Sequence, residues 1–175
     1  MNIRRSCCLL LAAMCLLSCS GSGSVLPHAN SYSTSFSLNE NPISGGGSWV
    51  NGGTVGLDWS NVQTIPGRAY GSVIVSGYND DIAVLNTSFG ADQYAQGSVY
   101  RATGYAPSGN HEIELLLRFQ ITAHSARGYE VLWSIGGGTA DGVVAIVRWN
   151  GNLGDYTVLA ETTITPAANG DVLRA

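Results

Sequence analysis

HEIELLLRFQITAH, residues His111 to His124, is the stretch on which the fold is decided. Read at a period of two, it places Ile113, Leu115, Leu117, Phe119 and Ile121 on one face. Glu112, Glu114, Leu116, Arg118 and Gln120 take the other. That alternation is the signature of a β-strand with one buried side. Glu112 and Glu114 then point the same way, with Cα atoms about 6.6 Å apart. Such a spacing is compatible with the pair of carboxyls, about 5.5 Å apart, that a retaining glycosidase needs. The competing reading makes them two solvated acids opposite a buried Ile113/Leu115/Leu117 face. The first reading is an enzyme and the second a binding or structural module.

Working outward, the same texture recurs. Gly128 to Ile135 puts Tyr129, Val131, Trp133 and Ile135 on one side. Gly142–Trp149 and Tyr156–Thr163 flank the turn-rich Asn150-Gly151-Asn152-Leu153-Gly154-Asp155, which predicts a hairpin with a loop longer than the minimal one. Ala69–Val75 and Asp81–Leu85 read as strands around a turn at Gly77 to Asp80. Tyr94–Ala102 alternates less cleanly, and Ser33–Leu38 alternates over a short run. Residues 42–53 form a glycine-dominated loop with Trp49 inside it, leading into a short run from Thr54 to Trp59. No stretch carries a 3.6-residue period. Short strands at this spacing predict an all-β chain folded as an antiparallel two-sheet sandwich.

The bulk composition agrees. The chain has 175 residues, enough for one domain with a real core. It is 45% hydrophobic and 11% charged, with 23 glycines, the profile of a secreted β protein. A net charge of -4 leaves no basic footprint for nucleic acid. It also argues against docking on acidic lipid by charge alone.

The N-terminus is the most specific feature. Asn2-Ile3-Arg4-Arg5 is a short basic stretch, and Leu9 to Leu17 is apolar but too short to span a bilayer. Leu16-Leu17-Ser18-Cys19 followed by Ser20-Gly21-Ser22-Gly23-Ser24 resembles a bacterial lipoprotein signal. The resemblance implies cleavage before Cys19 and acylation of that cysteine. Several acyl chains on one residue anchor stably where one is marginal. Ser20 resembles the outer-membrane sorting pattern. The expected organisation is a signal peptide over 1–18, a lipidated Cys19 with a Gly/Ser tether over 19–31, and a β-sandwich over 32–175. A plain secretory signal with a chance cysteine is the other reading. Cys7, Cys8, Cys15 and Cys19 are the only cysteines, so the stretch beyond residue 19 has neither an internal disulfide nor a cysteine metal site.

Several pieces share an order. Phe36, the Gly-rich loop to Trp49, Asp92-Gln93-Tyr94-Ala95, Tyr129-Glu130-Val131, the Val144 to Ala160 hairpin and Gly170-Asp171-Val172-Leu173-Arg174-Ala175 resemble a bacterial concanavalin A-like lectin/glucanase domain. The resemblance covers residues 32–175. It implies a jelly roll of two antiparallel sheets whose concave face, in many members, holds an extended saccharide. Members include glycan-binding modules, hydrolases, lyases and inert domains, so the fold alone does not choose. In such domains the Gly-Asp-x-Leu-Arg-Ala strand is followed by further strands, and the native chain is expected to continue past Ala175. The glucanase signature of the family runs Glu, apolar, Asp, apolar, then a final Glu as proton donor. Glu112-Ile113-Glu114-Leu115-Leu116-Leu117 has Glu for the Asp and leucine for the last Glu, so the general acid is missing.

The remaining chemistry is sparse. His111 and His124 bracket the long strand and read as surface residues, without metal-ligand spacing. No nucleophile elbow or phosphate-binding loop is present. Asn79-Asp80-Asp81 puts three oxygen-bearing side chains in a row, the ligand type of calcium, and is equally ordinary turn chemistry. The hairpin tip joins Trp149 and Tyr156 to Asn150, Asn152 and Asp155. Rings for sugar faces and polar groups for hydroxyls are what a glycan site uses. Against that, Trp149 shares a face with Val143, Ala145 and Val147 and is placed to extend the core. The expectation is a lipid-anchored envelope protein that binds a polysaccharide or glycoconjugate without cleaving it. The alternatives are a polysaccharide-cleaving enzyme and an assembly lipoprotein with no small ligand.

Overall fold

The computed structural model describes residues 6–9, 30–72, 80–102, 111–134 and 142–175. Within these the chain is all-β, with a single four-residue helical turn, α1 (Gly52–Val55). The largest sheet has five strands in the order β1 (Ser6–Leu9), β8 (His111–Thr122), β9 (Ser125–Ser134), β10 (Gly142–Asn152) and β11 (Tyr156–Ile164). A three-stranded sheet is formed by β2 (Trp49–Asn51), β6 (Asp81–Leu85) and β3 (Ser60–Asn61). Two pairs complete the set: β4 (Gln63–Ile65) with β5 (Arg68–Tyr70), and β7 (Gln96–Ser98) with β12 (Val172–Arg174). Most pairings are antiparallel, but β1 with β8 and β3 with β6 run parallel. β1 lies in the stretch whose composition reads as a leader, where the period-two pattern places no strand.

The central sheet buries one face against the smaller layers. That face carries Leu116 from β8, Leu132 from β9, and Ala145, Val147 and Trp149 from β10, all in one core with Trp49, Trp59, Ile82 and Ala83. Trp59 meets Trp149 edge to face at 4.9 Å between centroids, a favoured aromatic geometry. On the other face, Ile113 packs with Val99, Ala167 and Trp133, and Leu115 is fully buried. β8 is therefore buried on both faces from Glu112 to Leu116. Toward β11 both faces open, and Val158, Leu159 and Ile164 are exposed.

The expected glycine-rich loop is present only over residues 42–48, because Trp49–Asn51 pairs with β6 as the strand β2 and Gly52 opens α1. Gly45, at φ +53, lies so close to the Trp49 ring that a Cβ there would come within 2.8 Å of it. Glu40 accepts the backbone N–H groups of Ser44 and Gly45, and Trp49 donates its indole N–H to the Tyr32 hydroxyl at 2.9 Å. Two expected runs are not strands. Ser33–Leu38 is irregular, because the Thr34 hydroxyl captures the Phe36 N–H and Phe36 adopts φ 51. The run from Thr54 begins instead inside α1, which ends at Gly56 with φ 78, the left-handed cap that glycine supplies.

β8 departs from the pattern in one decisive place. Leu117 pairs with Tyr129 and Gln120 with Arg127, so three steps on β8 match two on β9. The extra residue makes a β-bulge with Arg118 at φ 51. Beyond a one-residue slip every side chain changes face. Phe119 and Ile121 therefore move to the side of Glu114 and Leu116, not that of Ile113 and Leu115. Opposite the bulge sits Gly128 at φ 144, where a Cβ would lie 2.6 Å from Phe119 Cα and 2.8 Å from the Arg118 carbonyl oxygen. Only glycine leaves room for the bulged backbone. Gly128→Ala is expected to lower unfolding free energy by about 2–4 kcal/mol, combining backbone strain with overpacking. Urea denaturation followed by tryptophan fluorescence checks this, and an unchanged midpoint would remove the coupling.

Candidate functional site

The acids of the central strand are inside the molecule. Glu112 and Glu114 are 2% and 3% exposed, which overturns their reading as solvated acids. The reason is the double coverage of β8. Its Glu112, Glu114 and Leu116 lie opposite Ser134, Leu132 and Glu130 of β9 on the core-facing side. Glu130 is itself 1% exposed and accepts the Trp149 indole N–H at 2.6 Å. Three glutamates thus share one sheet face, a convergence the sequence does not announce because Glu130 comes from another strand. All three are buried.

The hairpin tip is also committed to structure. Trp149 is 2% exposed and is a core residue, correcting its reading as a sugar-facing ring. Its cross-strand partner Tyr156 packs against it with centroids 5.3 Å apart. Asn150 donates to Asp155 Oδ1 at 3.0 Å and to the Thr157 hydroxyl at 3.3 Å, and accepts from Arg148 Nε at 3.0 Å. The Asp155 N–H closes the turn on the Asn152 carbonyl at 2.9 Å. These polar groups hold the hairpin together, since an unmade hydrogen bond is more costly than a made one is favourable.

The acidic turn follows the same pattern. Asn79 lies outside the described residues. Asp80 and Asp81 are both buried, and Asp81 Oδ2 accepts the Ser72 N–H at 2.9 Å. Among the described residues no three His, Cys, Asp or Glu side chains converge to hold a metal ion. Of the histidines, His124 is exposed and meets Asp58 at 2.7 Å. His111 is partly buried, and desolvation, helped by the Arg101 charge, lowers its pKa below the usual histidine value. Cys19 also lies outside the described residues, and among those described no helix is long and apolar enough to cross a membrane.

A concavity lies elsewhere among the described residues. β1 pairs with β8 only as far as Glu114. From Leu115 onward, the edge of β8 away from β9 has no strand partner among the described residues. A groove of about 800 Å³ runs between this part of β8 and residues 83–93. Phe89, Phe119, Asn86, Gln120, Arg118 and Arg127 are among the residues that line it, so aromatic, amide and arginine residues meet there. No Asp or Glu is among the lining residues. Gln93 fixes its wall: its Oε1 accepts the Arg118 N–H at 2.5 Å and its Nε2 donates to the Gly90 carbonyl at 3.0 Å. The side chain thus ties the 83–93 segment to the bulge. Volume and mixed lining are those of a ligand site.

Sequence patterning misses this groove because its walls come from two distant segments. The nearest local signals are Gln93 within Asp92-Gln93-Tyr94-Ala95 and the two arginines nine positions apart around the β8–β9 turn. Compared with known families, characterised proteins and solved structures, the chain matches none.

Trp149→Phe is expected to cost about 2–3 kcal/mol, because the buried Glu130 carboxylate loses a donor. Combined with Glu130→Gln in a double-mutant cycle, a coupling of about 1–3 kcal/mol is expected from chemical denaturation. A coupling of zero would mean that the indole and carboxylate contribute independently.

Proposed function

We propose that this chain is a glycan-binding module that does not cleave its ligand, built on a concanavalin A-like jelly roll and held at the bacterial envelope by a lipid on Cys19. One observation carries the binding reading: the groove along the open edge of β8, which joins aromatic rings to amides and guanidinium groups. Sugar rings present apolar C–H faces to aromatic side chains, while their hydroxyls need donors and acceptors. The binding surface is accordingly this groove and not the hairpin tip, whose rings and polar groups already have partners.

The alternative, polysaccharide cleavage, draws on Glu112, Glu114 and Glu130 sharing one sheet face. Hydrolysis needs two carboxyls that flank a bond in contact with water. Their enclosure by core side chains argues against that use, so no new reducing ends are expected from any polysaccharide that is retained. The third reading, an assembly lipoprotein, draws on the exposure of β11 along most of its length. It predicts a cross-linked protein partner and no glycan retention.

The binding test is retention of the full chain on immobilised polysaccharides. Retention is expected on at least one, and Phe89→Ala is expected to weaken it about tenfold, as loss of a stacking ring worth about 1.4 kcal/mol would. Retention that Phe89→Ala leaves untouched would place the ligand outside the groove. For the anchor, Cys19→Ser is expected to abolish incorporation of labelled palmitate in a bacterial host and to release the protein from the membrane fraction. Continued labelling of the variant would sink the lipoprotein reading.

A further inference from the structure

The groove has a charge that the rest of the chain does not. The protein carries twelve acids against eight basic groups, a net charge of -4. Every one of those basic side chains is an arginine. Five of the acids, Asp80, Asp81, Glu112, Glu114 and Glu130, are buried and face no solvent. Two arginines, Arg118 and Arg127, line the groove. Among the described residues neither guanidinium has an ion-pair partner. A concave site with one sign of charge and no compensating acid focuses that charge on its ligand.

The two arginines flank the bulge on neighbouring strands. Arg118 is the bulged residue, held at φ 51, where a non-glycine residue is disfavoured. Bulges are found where a strand must re-aim a side chain. Arg127 stands opposite Gln120, on the far side of the bulge. Its guanidinium lies over Gly151, where a Cβ would meet Nη2 at 2.7 Å, so a side chain at 151 would displace it. The bulge and Gly128 opposite it set where Arg118 leaves the strand, and Gly151 leaves room for the Arg127 guanidinium. Guanidinium is the group suited to paired hydrogen bonds with an oxyanion.

We propose that the groove binds an acidic saccharide, with Arg118 and Arg127 gripping carboxylate or sulfate groups carried on the sugar while the neighbouring rings take its apolar face. This rests on the glycan-binding reading above and adds to it the charge class of the ligand. The recognition chemistry is shared by uronate and sulfated polymers.

The test uses the full chain on four immobilised polymers: polygalacturonate, its methyl-esterified form, dextran sulfate and dextran. Retention is expected on polygalacturonate or dextran sulfate and not on the neutral counterparts, with the stronger of the two identifying the anion. It is expected to fall steeply as salt is raised, since exposed charge pairs are screened. Arg118→Gln and Arg127→Gln are each expected to weaken it about tenfold, the loss of one charge-assisted hydrogen bond. Equal retention on neutral and acidic polymers would overturn the acidic-ligand proposal while leaving glycan binding standing. So would acidic retention insensitive to salt, or to both substitutions in proteins that melt normally. Should the glutamine variants fail to fold, the salt and esterification arms on the unsubstituted chain still decide the question. No retention on these four, with retention on another neutral glycan, overturns the proposal alone. No retention on any glycan overturns both readings.

Discussion

Between Leu117 and Gln120 the ladder joining β8 to β9 gains one residue, and Gly128 opposite has no Cβ to obstruct it. The rest of the described structure is arranged around that slip. Before it, β8 is buried on both faces from Glu112 to Leu116, which is why Glu112 and Glu114 end up inside. After it, the strand faces one neighbour only, its side chains change sides, and its free edge borders a groove. A shift of one position thus separates a closed half of the strand from an open half.

The closed half shows what a buried carboxylate demands. Removing a charge from water is costly unless hydrogen bonds replace hydration. Glu130 meets that demand in part through the Trp149 indole, and that contact ties the centre of β9 to the hairpin strand β10. The same indole packs on Trp59, which links the central sheet to the layer above it. A residue with the appearance of a sugar platform is thus the joint between two layers, and the buried Glu130 is its anchor.

The open half has the opposite economy. Its polar groups are not consumed by one another, apart from Gln93, which spends its amide in tying the 83–93 segment to the bulge. Arg118 and Arg127 remain available, in a protein whose acids are in large part internal. Net charge alone is therefore a poor guide to what this surface attracts. The overall balance is acidic, while the groove is cationic, and only burial distinguishes the two.

Much was legible from residue order alone. Period-two alternation with turn residues between the runs determined the all-β class, the bounds of β6, and the β8–β9 and β10–β11 hairpins within a few residues, because alternation reflects local geometry that each strand carries by itself. Local pattern is silent on three matters that tertiary structure decided. It does not reveal whether the second face of a strand is covered, and so Glu112 and Glu114 read as solvated. It does not reveal an inserted residue in a ladder, since a bulge is defined by the partner strand, and so a strict period of two places Phe119 and Ile121 on the wrong face. Nor does it join segments far apart in the chain, and so the groove between 83–93 and β8 was invisible while its residues were in plain view. The periodicity of a strand is a property of its own backbone; burial, register and concavity are properties of its neighbours.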